Sequence, residues 1–209
     1  MNIKANQRLL FIGDSITDCA RRSHHAFDLG QGFVGMIAGY LGATYPDKPL
    51  EIINRGIAGN VMADMIERWQ EDCLDLKPDM VTILIGVNDI WRRMDQNLEP
   101  SQAVYDQFES HYRYLIQSLK EQNPEVQIIL MDTFVIPNQN IDQWKTYQAD
   151  INAIIHRIAN DFALTCVSLG SIMAKVCSKN SSDYFIQPDG VHPHPAGHGI
   201  IAKAWIENV

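Results

Sequence analysis

Long hydrophobic runs are missing from this sequence. No apolar stretch approaches the roughly 20 residues a membrane-spanning helix needs, Met80–Val87 being among the longest, so membrane insertion is not expected. Basic tracts are as scarce. The longest are the pairs Arg21-Arg22 and Arg92-Arg93, and the formal net charge is −8, which argues against nucleic acid or an anionic membrane as a partner. Cysteine is sparse: Cys19, Cys73, Cys166 and Cys177 lie far apart and form no Cys-x-x-Cys pair. Reduced thiols are therefore expected. Neither Gly-x-Gly-x-x-Gly nor a P-loop is present, which weighs against a nucleotide enzyme. Internal repeats, low-complexity segments and linkers are also absent. Lys4 and Arg8 precede only a short apolar run that stops at Asp14, unlike a secretory signal. A soluble, cytoplasmic protein is expected.

What is present is an alternation. The 209 residues, 46% hydrophobic and 20% charged, suit one globular domain over residues 1–209. Apolar runs predict strands at Arg8–Gly13, Leu50–Asn54, Met80–Ile85, Val126–Met131 and Leu164–Val167. Helices are expected between and after them at Phe33–Tyr45, Val61–Lys77, Ser101–Gln122, Asp142–Phe162, Gly170–Val176 and Pro195–Glu207, with an irregular loop or short helical turns at Thr17–Gln31 and loops at Ile90–Pro100, Asp132–Ile141 and Lys179–Val191. Strand–helix alternation implies parallel β-α-β units with right-handed crossovers. The expected fold class is α/β: a three-layer α/β/α sandwich around a five-stranded parallel, flavodoxin-like sheet.

Three of the strands end in turns rich in small or polar residues: Gly13-Asp14-Ser15, Gly56–Asn60 and Gly86–Asp89. In a parallel sheet such turns share one edge, where ligands bind. A fourth stretch, Asp189-Gly190-Val191-His192-Pro193, places a carboxylate and an imidazole in one loop. Serine needs a base to become a nucleophile, and the base is usually an oriented histidine. Ser15, His192 and Asp189 fill these roles. An acyl-transfer oxyanion needs aimed donors, and the Ser15 amide, the Gly59 amide and the Asn88 side chain supply them. Glycine at 59 leaves room for an oxyanion beside the backbone amide. Asp14 and Asp89 are expected to brace their turns by local hydrogen bonds. This chemistry requires no cofactor. His192, His194 and His198 lie close in sequence, but no cysteine, HExxH pattern or clear carboxylate partner makes them a metal site. His194 is expected at the start of the last helix and His198 on it. His111 and His156 are expected as ordinary helix residues, and His24 and His25 as loop residues beside the nucleophile.

These four blocks, GDS with a following TD, GIAGN, GVND and DGVHP, stand in order across nearly the whole chain and resemble those of the GDSL/SGNH hydrolases. The resemblance implies the same assignments: Ser15, Asp189 and His192 as the triad, with Gly59 and Asn88 as oxyanion donors. Ile16 stands where the family name has leucine. Thr17 breaks the Gly-x-Ser-x-Gly elbow, which counts against the α/β-hydrolase fold. LLFIGDSITDCAR, NRGIAGN and IGVNDIWRR further resemble the acetylxylan-esterase-like branch of small SGNH enzymes. That resemblance implies removal of acetyl groups from xylo-oligosaccharides or related sugars, with Trp91 placed to stack on a sugar ring or wall the acyl pocket. The motifs fix the reaction but not the acyl group or the leaving alcohol. Short-chain esters, thioesters and lysophospholipids compete as substrates, and a carbohydrate-binding protein with a relict cleft is the competing class. A homo-oligomer is compatible with the sequence.

Overall fold

Each central strand of this protein is buried on both faces, and that sets the architecture. In the computed structural model, which describes residues 3–22, 25, 27–136, 144–179 and 181–209, the first strand is β1 (Arg8–Gly13). Its Leu9 and Phe11 point into one apolar layer, and Leu10 and Ile12 into another. Alternation with a period of two delivers successive side chains to opposite faces, and covering both faces requires helices on each.

The elements follow in the order β1, α1 (Ser15–Asp18), α2 (Phe33–Thr44), β2 (Glu51–Gly56), α3 (Met62–Asp72), β3 (Met80–Leu84), α4 (Val87–Asp95), α5 (Gln102–Gln122), β4 (Gln127–Met131), α6 (Trp144–Asp161), β5 (Thr165–Val167), α7 (Leu169–Lys179) and α8 (Pro195–Asn208). The sheet is parallel with strand order β2-β1-β3-β4-β5. Phe33 and Ile37 of α2, Met173 of α7 and Trp205 of α8 pack on one face. Met65 and Trp69 of α3, Tyr112 of α5 and Ile155 of α6 pack on the other. The indole N–H of Trp205 donates to Thr82 Oγ1 of β3 at 2.9 Å, satisfying two polar atoms buried in the first layer.

The chain leaves β1 toward β2 and then returns to place β3 on the other side of β1. This reversal opens a crevice at the carboxyl ends of β1 and β3, the location where open α/β sheets bind ligands. Ser15 follows β1 there, and Asn88 follows β3.

β2 runs on to Gly56, two residues past its expected end, and the expected Lys179–Val191 loop holds a 3₁₀ turn at Ser182–Tyr184; two further elements differ more. The helix expected over Val61–Lys77 ends at Asp72, and Leu74–Leu76 forms a separate 3₁₀ turn. Lys77 there sits in the left-handed region at φ 48°. The loop expected over Ile90–Pro100 begins as a helix instead. Val87, Ile90, Trp91 and Met94 recur at helical spacing and pack onto the core, so tertiary burial orders α4 despite its polar composition. Residues 137–141 of the expected Asp132–Ile141 loop, residues 142 and 143 of the following helix, and His24 lie outside the described residues.

Candidate active site

Ser15 is the first residue of α1, a single turn capped by Asp14, whose Oδ1 accepts the Ile16 N–H at 3.0 Å. A first helical residue has no carbonyl four positions back to bond within the helix, so the Ser15 N–H is free to face the crevice. Gly13 is required by space. A Cβ there would lie 2.1 Å from the Leu84 carbonyl oxygen and 2.6 Å from Thr17 Oγ1. The absence of a side chain lets β1 and β3 end side by side.

The Ser15 hydroxyl lies 2.8 Å from His192 Nε2, and His192 Nδ1 lies 2.7 Å from Asp189 Oδ2. A carboxylate facing Nδ1 makes that nitrogen the donor and leaves Nε2 to accept the serine proton. The segment that carries the pair is folded upon itself. Asp189 Oδ1 accepts the Val191 and His192 N–H groups, each at 2.9 Å. Gln187 N–H donates to the His192 carbonyl at 2.8 Å, His194 N–H donates to Phe185 O at 2.8 Å, and Ile186 bridges Pro193. Burial works against ionisation of Asp189. The two backbone N–H groups and the imidazole outweigh it, so the carboxyl lies below its ordinary value.

The turn after β2 is tied to α1 and the residues just after it. Asp18 of α1 accepts the Ala58 N–H at 3.1 Å, and Arg21 donates to Gly56 O at 2.9 Å. Gly59 has φ +80°, and a Cβ would meet only Arg92 Nη2, at 3.7 Å. Its glycine is therefore explained by the left-handed backbone rather than by crowding. The Gly59 N–H donates to no described residue. Asn88, buried at the start of α4, donates through Nδ2 to the Asn60 carbonyl at 3.0 Å. That contact identifies the amide nitrogen and leaves its second N–H available. Hydrogen bonds thus link the segments carrying Ser15, Gly59 and Asn88 into one assembly.

Trp91 packs its ring 5.8 Å from the His192 ring and 5.3 Å from the Trp144 ring, so it walls the site beside the imidazole. Asp89 differs from its expected role as a local brace. Its oxygens accept the Met62 N–H at 3.1 and 3.2 Å, pinning the start of α3 from α4. Burial pushes both Asp14 and Asp89 up to about 7, and Asp14 Oδ2 is buried with no hydrogen-bond partner among the described residues. His194 caps α8. His198 is buried on α8, its Nδ1 accepting the Phe33 N–H at 3.3 Å and its Nε2 lying 3.3 Å from Cys19 Sγ. Among the described residues, no group of three or more His, Cys, Asp or Glu side chains could hold a metal ion.

The sequence reading did not single out Arg68, Arg92 or Asn60, which hold the turns. Asn60 stands inside the GIAGN block. The two arginines carry no local signal: Arg68 stands on the polar side of an expected amphipathic helix, which reads as a solvated face, and Arg92 stands in a stretch expected to be a polar loop.

Residues 11–200 match the GDSL-like lipase/acylhydrolase family. An acetylxylan esterase of Geobacillus stearothermophilus is 36% identical over 215 residues, which cover 100% of this chain and 96% of that protein. The crystal structure of Axe2, an acetylxylan esterase from the same organism, matches with a TM-score of 0.88 at 34% identity, covering 100% and 96% of the two chains. LAE5, described as an alpha/beta hydrolase enzyme from the metagenome of Lake Arreo, Spain, matches with a TM-score of 0.88 at 27% identity over 99% and 96%. Fold and likeness together define an α/β enzyme that hydrolyses carboxylic esters. The chain belongs to the GDSL-like lipase/acylhydrolase family, with the SGNH hydrolase fold.

Proposed function

We propose that a single domain spanning residues 1–209 removes acetyl groups from xylo-oligosaccharides or related sugars through an acyl-enzyme on Ser15. The unbroken hydrogen-bonded chain from Ser15 through His192 to Asp189 carries the chemistry. The full-length likeness to an acetylxylan esterase supports the substrate class. Ser15 Oγ attacks the acetyl carbonyl carbon while its proton passes to His192 Nε2. Asp189 holds the ring orientation and stabilises the imidazolium. The carbonyl oxygen, now an oxyanion, is received by the Ser15 N–H, the Gly59 N–H and Asn88 Nδ2. Collapse breaks the bond to the sugar oxygen, which takes the proton from His192. A water then gives its proton to the imidazole and attacks the acyl carbon. Acetate leaves and Ser15 recovers its proton. Trp91 supplies an apolar wall for the acetyl methyl or a sugar ring.

The test is acetate release from acetylated xylo-oligosaccharides, with an aryl acetate beside it and Ser15→Ala as control. Turnover of both substrates, abolished in Ser15→Ala, is expected. Turnover of the aryl acetate alone would keep the esterase chemistry and overturn the sugar assignment. Preference for longer acyl chains would point to a broader acyl-ester or lysophospholipid hydrolase.

A further inference from the structure

One guanidinium group joins the two turns that the proposed reaction needs to keep in register. Arg68 projects from α3, and its side chain is only 14% exposed. Its Nη2 donates to the Gly13 carbonyl at 3.1 Å, two residues before Ser15. Its Nη1 donates to the Arg55 carbonyl at 2.8 Å, at the end of β2. Its Nε donates to Asn60 Oδ1 at 2.7 Å, one residue after Gly59. Asp72, one helical turn on, accepts from Nη1 at 2.9 Å and balances the charge.

We propose that Arg68 is a positioning residue for the oxyanion hole, fixing the nucleophile turn against the turn that carries Gly59. This inference rests on the esterase reading above. The fork of a guanidinium is planar and rigid, so acceptors bound to its different nitrogens are held at set separations. An ammonium group in its place is a point charge on a flexible stem and cannot span them. The Asn60 partner matters twice. Its side chain is held by Arg68 and its carbonyl holds Asn88 Nδ2, so the same clamp reaches a second oxyanion donor. Arg92 also donates to a carbonyl of this turn, that of Gly59, but its side chain is 55% exposed. Water can replace it more easily than it can replace the buried Arg68.

The oxyanion forms only during reaction, so a loosened clamp weakens binding of the transition state more than binding of the substrate. The experiment compares native protein, Ser15→Ala, Arg68→Met, Arg68→Lys and Asn60→Ala on an aryl acetate. Active sites are counted by the stoichiometric end point of a phosphonate titration. A boronic acid that forms a tetrahedral adduct reads oxyanion-hole quality separately. Arg68→Met is expected to lose roughly ten- to hundredfold in kcat per titrated site, the range for a misplaced rather than deleted donor. KM should change little, and boronate affinity should fall by the same factor as kcat. Arg68→Lys should lie between native and Arg68→Met. Asn60→Ala should lose less than Arg68→Met and add little to it in the double variant. Native kcat per site in Arg68→Met, or a loss of kcat with boronate affinity intact, would overturn the proposal. If Arg68→Met does not fold, the same outcomes read on Arg68→Lys and Asn60→Ala decide it. An active Ser15→Ala would instead overturn the esterase reading itself, whereas an inactive Ser15→Ala beside a fully active Arg68→Met would remove only the role of Arg68.

Discussion

Two histidine–carboxylate pairs stand among the described residues, and they differ in almost everything but distance. His192 Nδ1 lies 2.7 Å from Asp189, and His156 Nε2 lies 2.8 Å from Asp132. Asp132 follows β4, is buried, and spends its other oxygen on the Gly170 N–H at 2.8 Å, at the start of α7. Burial raises its carboxyl above the ordinary value, against the pull of that N–H and of His156. His156 sits on α6, 40% exposed. This pair joins helices. Asp189 instead spends its second oxygen on the backbone of its own loop, and the free nitrogen of His192 meets a serine hydroxyl. A histidine beside a carboxylate is therefore not a catalytic unit by itself. The serine hydroxyl at the far nitrogen of His192 distinguishes this pair from the other.

The contrast can be broken in steps. The largest effect should come from Ser15→Ala, which removes the hydroxyl that meets the far nitrogen of His192. Its kcat should fall on the order of 10⁴–10⁶, as in other serine hydrolases, measured by acetate release. Retention of activity within about tenfold would make the two pairs equivalent. Next, Asp189→Asn should lower kcat on the order of 10³–10⁴ by freeing the wrong imidazole tautomer. Asp132→Asn should leave kcat per active site close to native. It should cost about 1–3 kcal/mol in denaturant unfolding, the range for disturbing a buried hydrogen-bonded group. Equal kinetic losses in the two variants would contradict the distinction. A third step touches the donors rather than the pair. Asn88→Ala should reduce kcat about 10²–10³-fold with the folded fraction unchanged.

The smallest effect concerns acid stability, where a third histidine enters. Burial, reinforced by His192, pushes His198 down to about 4. Below its ordinary value of about 6.5 the unfolded chain takes up a proton that the folded protein refuses. The share of stability set by His198 should therefore fall as the pH drops from about 6.5 toward about 4, against the buried carboxyls of Asp14 and Asp89, whose raised values make their own shares rise as the pH drops below about 7. His198→Gln keeps an acceptor for the Phe33 N–H and removes that share, so acidification over this range should cost the variant less stability than it costs the native protein. An unchanged pH slope in urea titrations would show that His198 does not carry it.

The layers and the chemistry of this molecule are written locally, and much of its bracing is not. β1 could be read to its observed ends because an apolar run stops at Gly-Asp-Ser. The alternation of strands and helices then gives the parallel sheet. The meeting of Ser15, His192 and Asp189 was legible because the residue types proposed as nucleophile, base and orienting carboxylate stand in short, distinctive blocks. α4 was less legible, since its apolar positions Val87, Ile90, Trp91 and Met94 straddle the turn after β3 and the polar stretch beyond it. Asp89 was expected to act locally and instead reaches 27 residues back to Met62. Arg68 bonds carbonyls 13 and 55 residues away, a pattern no spacing reveals. Gly59 was foreseen as glycine for a reason of space, whereas its φ of +80° supplies the reason of conformation.

The most direct test of the distinction is covalent labelling with a small phosphonate ester, read by intact mass and peptide mapping beside residual esterase activity. One adduct per chain, on Ser15, with activity lost in proportion to labelling, is expected. Labelling should be absent in Ser15→Ala, slowed in Asp189→Asn and unaltered in Asp132→Asn. An adduct on another residue, or full esterase activity in protein fully labelled at Ser15, would contradict the account.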